Sequence, residues 1–249
     1  ANKCLPGQFV IVRGSEDGER IPLTIADADI EAGTITIVTQ NIGYSTAKLM
    51  ELQVGDEIMD VIGPLGQPTH IEKHDGIVLC VGGGVGIAPL HPIAQAHHNN
   101  GNRVISILGA RDKSLIIMED MMKKISEETL ICTDNGSYGE KGLVTDMIKR
   151  VYDKGEKISE VIAIGPAIMM KFVAKLTKEY NLPTTVSLNP IMIDGTGMCG
   201  CCRVLVGTET KFACVEGPEF DGHLVDFDLL MKRQAMYKRE EHECNLKLS

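Results

Sequence analysis

The pattern of hydrophobic and polar positions along this chain changes near residue 75. Before that point, short β-branched runs are separated by glycine and aspartate, and three of them, Gln8–Val12, Gly33–Thr39 and Glu57–Ile62, are typical of strands. The longest helical period in this part is Ser45–Leu52. The pattern therefore predicts a small antiparallel β-barrel over residues 1–73.

From residue 74 onward, continuous apolar runs alternate with amphipathic stretches. The predicted strands are Gly76–Val81, Val104–Leu108, Thr129–Thr133, Val161–Ile164 and Thr184–Leu188. The predicted helices are Ala88–Asn99, Ser114–Ile125, Val144–Tyr152 and Ala167–Glu179. Buried strands that alternate with amphipathic helices predict a doubly wound α/β domain with a parallel sheet over residues 74–188.

The last part of the chain differs from both preceding parts. Residues 189–223 are rich in glycine and cysteine and have little helical character. Residues 224–249 are predicted to form one helix, Val225–Arg239, and a charged tail. The sequence thus predicts four parts: a barrel, an α/β domain, a cysteine segment and a C-terminal helix.

Composition and charge narrow the classes of partner. The 249 residues carry a net charge of −9 and an isoelectric point of about 5.3, without a basic run, which argues against nucleic acid and an anionic membrane surface as partners. No apolar stretch approaches the roughly 18–20 residues that cross a bilayer. The N-terminal residues Ala1 to Cys4 do not resemble a signal peptide. We therefore expect a cytoplasmic protein.

A glycine loop follows the first predicted strand of the α/β domain. Gly83, Gly84 and Gly86 lie in the run Gly82–Gly86, which opens a predicted helix. Glycine permits close approach of a pyrophosphate, and a helix N-terminus offers N–H groups to it. The spacing departs from G-x-G-x-x-G, because Ala88-Pro89 stands where the third glycine would be. The alternative is a tight strand–helix turn without a ligand.

Three more loops of this domain follow predicted strands. They contain Arg111, Asp134 and the dipeptide Gly165-Pro166, and the carboxyl ends of parallel strands are where such sheets bind ligands. Arg111 alone would be equally typical of a solvated surface. Together the loops predict a dinucleotide cleft. Asp112 and Asp134 favour NADH over NADPH, because a 2′-phosphate requires a basic pocket.

The N-terminal part contains a second candidate site. Arg20-Ile21-Pro22-Leu23-Thr24 ends on a hydroxyl, and Gly43-Tyr44-Ser45-Thr46 precedes the helical stretch. Ser45 or Thr46 is a suitable cap for that helix, and the same helix N-terminus suits a phosphate group. The spacing alone leaves both interpretations open, a structural cap and a flavin phosphate site.

Four of the eight cysteines fall within 16 residues. Cys199 and Cys202 form a C-x₂-C pair, and Cys214 follows twelve residues later. In the plant-type [2Fe–2S] spacing C-x₄-C-x₂-C, the first position here holds Asp194. Three thiolates and one carboxylate could complete a ligand set, with Cys201 as an alternative ligand. A structural zinc site and a reactive thiol pair are the competing interpretations.

Taken together, the motifs resemble one family. The order Arg-x-Pro-Leu-Thr, Gly-x-Ser-Thr, Gly-Gly-Gly-x-Gly-x-Ala-Pro, Gly-Ala-Arg, Gly-Pro-x-x-Met-Met and Cys-x₂-Cys…Cys is similar to that of ferredoxin-reductase-like electron-transfer subunits. Dihydroorotate dehydrogenase electron-transfer subunits belong to this family. The segments Ser187–Gly200 and Phe212–His223 are most like the branch found in NADH-dependent ferredoxin:NADP oxidoreductases.

The resemblance implies an electron relay between NAD(H), FAD and a [2Fe–2S] cluster. It also implies a larger flavin- and iron–sulfur-containing partner subunit of the glutamate-synthase-like type. Through the complex with that subunit, electrons would be exchanged with ferredoxin. The implied FAD contacts are Arg20, Pro22, Leu23, Thr24, Thr39, Gly43, Ser45 and Thr46. The implied NAD(H) contacts are Gly83, Gly84, Gly86, Arg111, Asp134, Gly165 and Pro166. The implied cluster ligands are Asp194, Cys199, Cys202 and Cys214. No general acid or base is implied.

Two features depart from the family pattern. Arg20 lies four residues before Thr24, where relatives commonly have three, so the role of Arg20 is less secure than that of Thr24. Relatives also have strands before the segment that corresponds to Pro6–Phe9, which implies that N-terminal residues are missing here. Two alternatives stay open: a dihydroorotate dehydrogenase electron-transfer subunit, against which Asp194 argues, and a zinc-stapled nucleotide-binding module without redox chemistry.

Overall fold

The structure is a computed structural model and describes residues 1–245. It contains a four-stranded antiparallel sheet, a seven-stranded mixed sheet and a two-stranded hairpin. Among the described residues, no helix has the length and apolar character needed to cross a membrane.

The N-terminal sheet occupies the place of the predicted barrel. Its strands are β1 (Phe9–Arg13), β2 (Ile21–Asp29), β3 (Thr34–Ile37) and β4 (Asp60–Leu65), and helix α1 (Tyr44–Glu51) lies between β3 and β4. The order is β3-β2-β1-β4, and every pair is antiparallel, as predicted. Strand β2 was not predicted, because Pro22 and two aspartates interrupt its apolar alternation.

The second sheet confirms the predicted alternation of strands and helices. Its strands in chain order are β5 (Ile77–Gly83), β6 (Arg103–Ala110), β7 (Glu128–Thr133), β8 (Glu140–Lys141), β9 (Ile158–Ile164) and β10 (Thr184–Ser187). Its helices are α2 (Ile87–Asn99), α3 (Glu119–Ile125), α4 (Val144–Asp153) and α5 (Ala167–Glu179). Strands β10-β9-β5-β6-β7-β8 run parallel, and the order reverses between β5 and β9.

One helix begins later than predicted. Helix α3 begins at Glu119 rather than Ser114. Lys113–Leu115 forms a separate 3₁₀ turn, and Met118 has φ +54°. A left-handed residue cannot continue a right-handed helix, so the periodic pattern before Met118 does not become helical.

The C-terminal part has more regular structure than the sequence predicted. Its elements are β11 (Arg203–Val206), β12 (Glu209–Phe212), a helical turn α6 (Ala213–Glu216), β13 (Glu219–Asp221), α7 (Phe227–Gln234) and α8 (Lys238–Asn245). Strand β13 pairs antiparallel with β10 and extends the parallel sheet. The single helix predicted over Val225–Arg239 is wrong, because the chain turns between α7 and α8.

A single hydrophobic core connects the three parts of the chain. It contains Phe9 and Ile11 of β1, the apolar residues on one face of the parallel sheet, and Cys202 and Cys214. A Cβ atom at Gly195 would lie 2.6 Å from Leu65 Cδ1, so the cysteine segment packs directly on the end of β4. The positions of Cys202 and Cys214 are therefore set by the same packing that sets the two sheets.

The carboxyl group of Glu219, a half-buried residue, joins the linker between the sheets to β13. Thr69 Oγ1 donates a hydrogen bond to Glu219 Oε1 over 2.7 Å. Burial raises the pKa of Glu219 to about 7, although the hydrogen bond from Thr69 acts in the opposite direction. In the unfolded chain this carboxyl titrates near pH 4.3.

We expect Glu219→Gln to change how stability depends on pH. Between about pH 4.5 and pH 7 the folded protein holds a proton that the unfolded chain has released, so stability falls as pH rises through this window. Glutamine keeps the acceptor for Thr69 and removes the titration. The change in unfolding free energy from pH 5 to pH 8 should be more favourable in the variant than in the wild type by roughly 2 kcal/mol. In thermal unfolding this corresponds to about 5 °C in Tm. Glu31→Gln, at an exposed position, is the control, and equal pH profiles for wild type and Glu219→Gln would contradict the assignment.

Candidate functional site

The glycine loop lies at the carboxyl edge of the parallel sheet, where β5 and β9 end side by side. A Cβ atom at Gly86 would lie 2.5 Å from the carbonyl oxygen of Ile164, and one at Gly165 would lie 3.1 Å from Gly83 Cα. One at Gly83 would lie 3.2 Å from Pro166 Cδ. The structure therefore brings the two predicted loops into contact, and three of their glycines are required for that contact.

Gly84 differs from its neighbours. It has φ +56°, and a Cβ atom built on it would meet nothing within 4 Å. Gly84–Gly86 forms a 3₁₀ turn that leads directly into the 13-residue helix α2. The loop thus presents open space and a helix N-terminus together, which is the arrangement that fits a dinucleotide pyrophosphate.

Arg111 and Asp134 lie at the same edge, after β6 and β7. The Asp134 N–H donates to the Ala110 carbonyl over 3.0 Å, and the Asn135 N–H donates to the Arg111 carbonyl over 3.2 Å. Both Arg111 and Asp134 are exposed. Asp112 is engaged locally, since its Oδ1 accepts from the backbone N–H and the hydroxyl of Ser114. Asp134 is therefore the carboxylate at this edge that is better placed to meet a ligand.

The candidate FAD residues form two adjoining groups. Pro22, Leu23 and Thr24 lie on β2, half-buried, and Phe9 on β1 is the register partner of Thr24. The second group, Gly43, Ser45 and Thr46, lies at the start of α1. Arg20 precedes β2 and is exposed, and Thr39 follows β3 and is half-buried.

A hydrogen bond joins these two groups. Ser45 Oγ donates to Glu19 Oε2 over 2.9 Å, which places the start of α1 beside the start of β2. Gly43 is the N-cap residue of α1, and Thr46 Oγ1, three residues later, accepts from the Gly43 N–H over 3.2 Å. The first N–H groups of a helix lack intrahelical acceptors, so the start of α1 offers donors to a phosphate, and the Glu19 carboxylate lies beside them.

Helix α2 connects the nucleotide loop with the candidate flavin strand. His91 of α2 is 3% exposed, and its Nδ1 lies 3.4 Å from the carbonyl oxygen of Ala26. The β2–β3 register shifts between Ile25 and Asp27, so Ala26 lies at a bulge. This contact of His91 could not be predicted from the sequence, because a histidine on the apolar face of a helix gives no signal for a contact with a distant strand.

In the cysteine segment the structure pairs two of the predicted ligands. Cys202 and Cys214 are 1% and 2% exposed, and their sulfur atoms are 3.1 Å apart. Two thiolates on one tetrahedral metal lie roughly 3.8 Å apart, so the pair needs to open only slightly. Burial raises the pKa of Cys214 to about 12, and Cys202 contributes to that shift. Metal binding would therefore release a proton from the Cys214 thiol.

Asp194 is tied to the third cysteine. Its Oδ2 accepts from the Cys199 N–H over 2.8 Å, and its Oδ1 accepts from the Thr196 N–H over 2.8 Å. The hydrogen bonds from Thr196 and Cys199 lower the pKa of Asp194, so it is a carboxylate at neutral pH. Cys199 is exposed, and Cys201 lies within reach of its thiol.

The candidate cluster ligands fall into two pairs. Within residues 1–245, no three His, Cys, Asp or Glu side chains converge so as to hold one metal ion. A [2Fe–2S] cluster requires two pairs of ligands, one on each iron. The chain offers one pair in Cys202 and Cys214, and a second in Asp194 and Cys199, which share a loop.

Family models match two parts of the chain. Residues 189–226 match the iron–sulfur cluster binding domain of dihydroorotate dehydrogenase B. Residues 80–175 match the oxidoreductase NAD-binding domain. The first includes all four candidate cluster ligands and the second includes the glycine loop, so the two models cover the sites that the geometry defines.

Individual relatives cover nearly the whole chain. A dihydroorotate dehydrogenase B (NAD(+)) electron transfer subunit homolog from Thermotoga maritima is 52% identical over 241 residues, which is 97% of this chain and 84% of that protein. The dihydroorotate dehydrogenase B (NAD(+)) electron transfer subunit of Desulforamulus reducens is 34% identical over 88% of this chain and 86% of its own length. A solved structure of an NADH-dependent reduced ferredoxin–NADP oxidoreductase is 48% identical, covers 99% of this chain and 88% of its own, and has a TM-score of 0.93.

The fold and the sites define an NAD-binding oxidoreductase subunit of the ferredoxin–NADP reductase type, with an antiparallel FAD-binding sheet and an iron–sulfur segment. The chain belongs to the family of dihydroorotate dehydrogenase B electron-transfer subunits and their homologues. It is an electron-transfer subunit that binds NAD(H), FAD and an iron–sulfur cluster, as the resemblance implied. The zinc-stapled alternative is set aside, because the cysteine segment matches an iron–sulfur domain.

Proposed function

We propose that this chain is the small subunit of an NADH-dependent ferredoxin:NADP oxidoreductase complex. In this proposal Asp194, Cys199, Cys202 and Cys214 hold a [2Fe–2S] cluster, and electrons pass between NAD(H), FAD, this cluster and a larger flavin/iron–sulfur subunit of the glutamate-synthase-like type. The observation that carries the proposal is Asp194, whose carboxylate is fixed by the Cys199 N–H at the position where a four-cysteine site would have a thiol.

The chain binds and orients its cofactors, and the cofactors supply the redox chemistry. Bound FAD connects two-electron hydride chemistry with one-electron transfer. The residues proposed to orient it are Pro22, Leu23 and Thr24 on β2. Gly83, Gly84 and Gly86 would admit the pyrophosphate of NAD(H), and Gly165-Pro166 would close the cleft beside them.

A cofactor and partner analysis tests this proposal. The purified complex should contain one flavin and about two irons for this chain, with the visible absorbance of both groups. A larger flavin- and iron–sulfur-containing subunit should co-purify with it. A protein that contains one zinc in place of about two irons would refute the proposed [2Fe–2S] site on Asp194, Cys199, Cys202 and Cys214.

A second candidate function is supported by the names of several relatives. Those of Desulforamulus reducens and Geobacillus kaustophilus, 34% and 35% identical, are dihydroorotate dehydrogenase B electron transfer subunits. Co-purification with a dihydroorotate-oxidising protein would favour this alternative, whereas a glutamate-synthase-like partner would favour the first.

The exposed carboxylate of Asp134 leads to a prediction about nucleotide choice. We expect Asp134→Asn to raise kcat/KM for NADPH relative to NADH about tenfold, because it removes repulsion of a 2′-phosphate near the ends of β6 and β7. Dye-reduction assays with both nucleotides measure the ratio. Asp153→Asn, at the C-terminal end of α4, removes the same charge from the opposite edge of the sheet and should change nothing. An unchanged ratio in Asp134→Asn would place the ribose elsewhere.

A further inference from the structure

The C-terminal end of α7 holds the cysteine loop at two points. Gln234 Nε2 donates to the carbonyl oxygen and to Oδ1 of Asn189 over 2.9 and 3.0 Å. The preceding residue, Arg233, donates from Nη2 to the carbonyl oxygen of Cys201 over 3.1 Å. Two consecutive side chains thus fasten the two ends of the loop that contains Asp194 and Cys199.

Helix α7 is itself held firmly in place. Asp226 caps its N-terminus by accepting from the Leu229 N–H over 2.9 Å. Phe227 and Leu230 are 6% and 2% exposed and belong to the same core as Cys202 and Cys214. The position of Arg233 relative to the loop is therefore set by packing and not by a single surface contact.

Arg233 places a positive charge beside this loop. Among residues 1–245, no carboxylate forms an ion pair with its guanidinium. Its Nε is buried and has no hydrogen-bond partner in the described part of the chain. A guanidinium remains charged at all relevant pH values, and burying one is costly unless an anion lies nearby. In the proposed site, the loop and the neighbouring Cys202 and Cys214 would supply that negative charge through three thiolates and one carboxylate.

We propose that Arg233 is a positioning residue whose half-buried positive charge favours the reduced cluster and so raises its reduction potential. The proposal rests on the proposed function, because it assumes the cluster on Asp194, Cys199, Cys202 and Cys214. Reduction adds one electron and neither forms nor breaks a bond, so the site becomes more negative by one charge. Net charge near a cluster is one of the factors that set its potential.

Arg203 provides the natural comparison. Its Nη1 donates to the carbonyl oxygen of Gly200 over 3.0 Å, so it also contacts the loop, but Arg203 is exposed. Water screens an exposed charge more strongly than a buried one. The effect of Arg203 on the cluster should be the smaller of the two. Lys232, exposed on the same helix, supplies a control at the position adjacent to Arg233.

The test is a redox titration of the purified complex, followed by cluster absorbance and electron paramagnetic resonance. Iron analysis of the wild type comes first, and a wild type without a cluster would refute the proposed function rather than the role of Arg233. In Arg233→Gln with full iron content, the ratio of reduced to oxidised cluster at a fixed ambient potential should fall about tenfold, which is a shift of about 59 mV for one electron. Arg233→Lys and Lys232→Gln should stay near the wild-type value, and Arg203→Gln should shift less.

Three results would overturn the role of Arg233. The first is an unchanged potential in fully loaded Arg233→Gln, and the second is an equal shift in Arg203→Gln. The third result concerns the case in which Arg233→Gln loses its iron. The iron content of Arg233→Lys then shows whether the charge of Arg233 or only its packing holds the loop. Retained iron in Arg233→Lys supports a role for the charge. Equal loss in Arg233→Lys and in Gln234→Leu, which removes the uncharged half of the clamp, would show that only packing matters.

Discussion

Replacing Cys214 by alanine should reduce the iron content of the protein from about two atoms per chain to nearly none. Cys214 is 2% exposed and its sulfur lies 3.1 Å from that of Cys202, so no water can readily reach the vacated position to act as a substitute ligand. Loss of one thiolate leaves an iron with an open coordination site and an unpaired neighbouring thiol. Iron analysis and the visible spectrum measure the loss, and the flavin content should remain.

Two further variants complete this experiment. Cys201→Ser is the matched control, since Cys201 lies in the same loop and is proposed to be a bystander. It should retain the full iron content. Asp194→Ala should weaken or alter the cluster, and an unaltered cluster in that variant would remove Asp194 from the ligand set and bring Cys201 back into it. Full iron content in Cys214→Ala would contradict the proposed ligand set.

The second large effect concerns the nucleotide loop. We expect Gly84→Ala to lower the affinity for NADH at least tenfold while costing about 1 kcal/mol of stability. The stability cost comes from φ +56°, since a Cβ atom at Gly84 meets nothing within 4 Å. The affinity is lost because the added methyl group occupies the open space into which the pyrophosphate is proposed to fit. The KM for NADH in dye reduction and thermal unfolding without nucleotide separate the two effects.

Gly155 provides a matched control for backbone strain. It has φ +76° and open space around a Cβ atom, but it lies in the turn between α4 and β9, remote from the loop. Gly155→Ala should cost similar stability and leave the KM for NADH unchanged. Equal KM changes in both variants, or none in Gly84→Ala, would contradict a pyrophosphate site at Gly84.

Gly86→Ala should behave differently from both. Its Cβ atom would lie 2.5 Å from the carbonyl oxygen of Ile164, and backbone atoms of a central strand cannot move aside. Overpacking of this kind costs about 1–3 kcal/mol or more. We therefore expect both lower stability and weaker NADH binding in this variant.

The parallel sheet could be predicted from the sequence because its signals are local. Runs such as Ile77–Gly83 are buried at every position and therefore apolar throughout, and each is followed by a helix of the expected period. The loops at the strand ends follow from the topology once the strands are known, so the contact between Gly86 and the end of β9 was predictable in outline.

The elements that could not be predicted depend on distant pairing. Strand β13 has three residues, and only its partner β10 makes it a strand. The residues of β2 resemble a ligand-binding motif more than a strand, because Pro22 lies within it. Arg233 and His91 have roles that depend on side-chain contacts between parts far apart in the chain, and periodicity carries no information about such contacts.

The pairing of β13 with β10 has a consequence for how this family can diversify. The cysteine segment is not an independent unit at the end of the chain, because its third strand, β13, forms the edge of the nucleotide-binding sheet. Exchange of this segment between relatives would carry the sheet edge with it, and its removal would uncover the backbone donors and acceptors of β10, a surface prone to association. Recombination that preserves folding is therefore expected to have its crossover points before β10 rather than at the first cysteine.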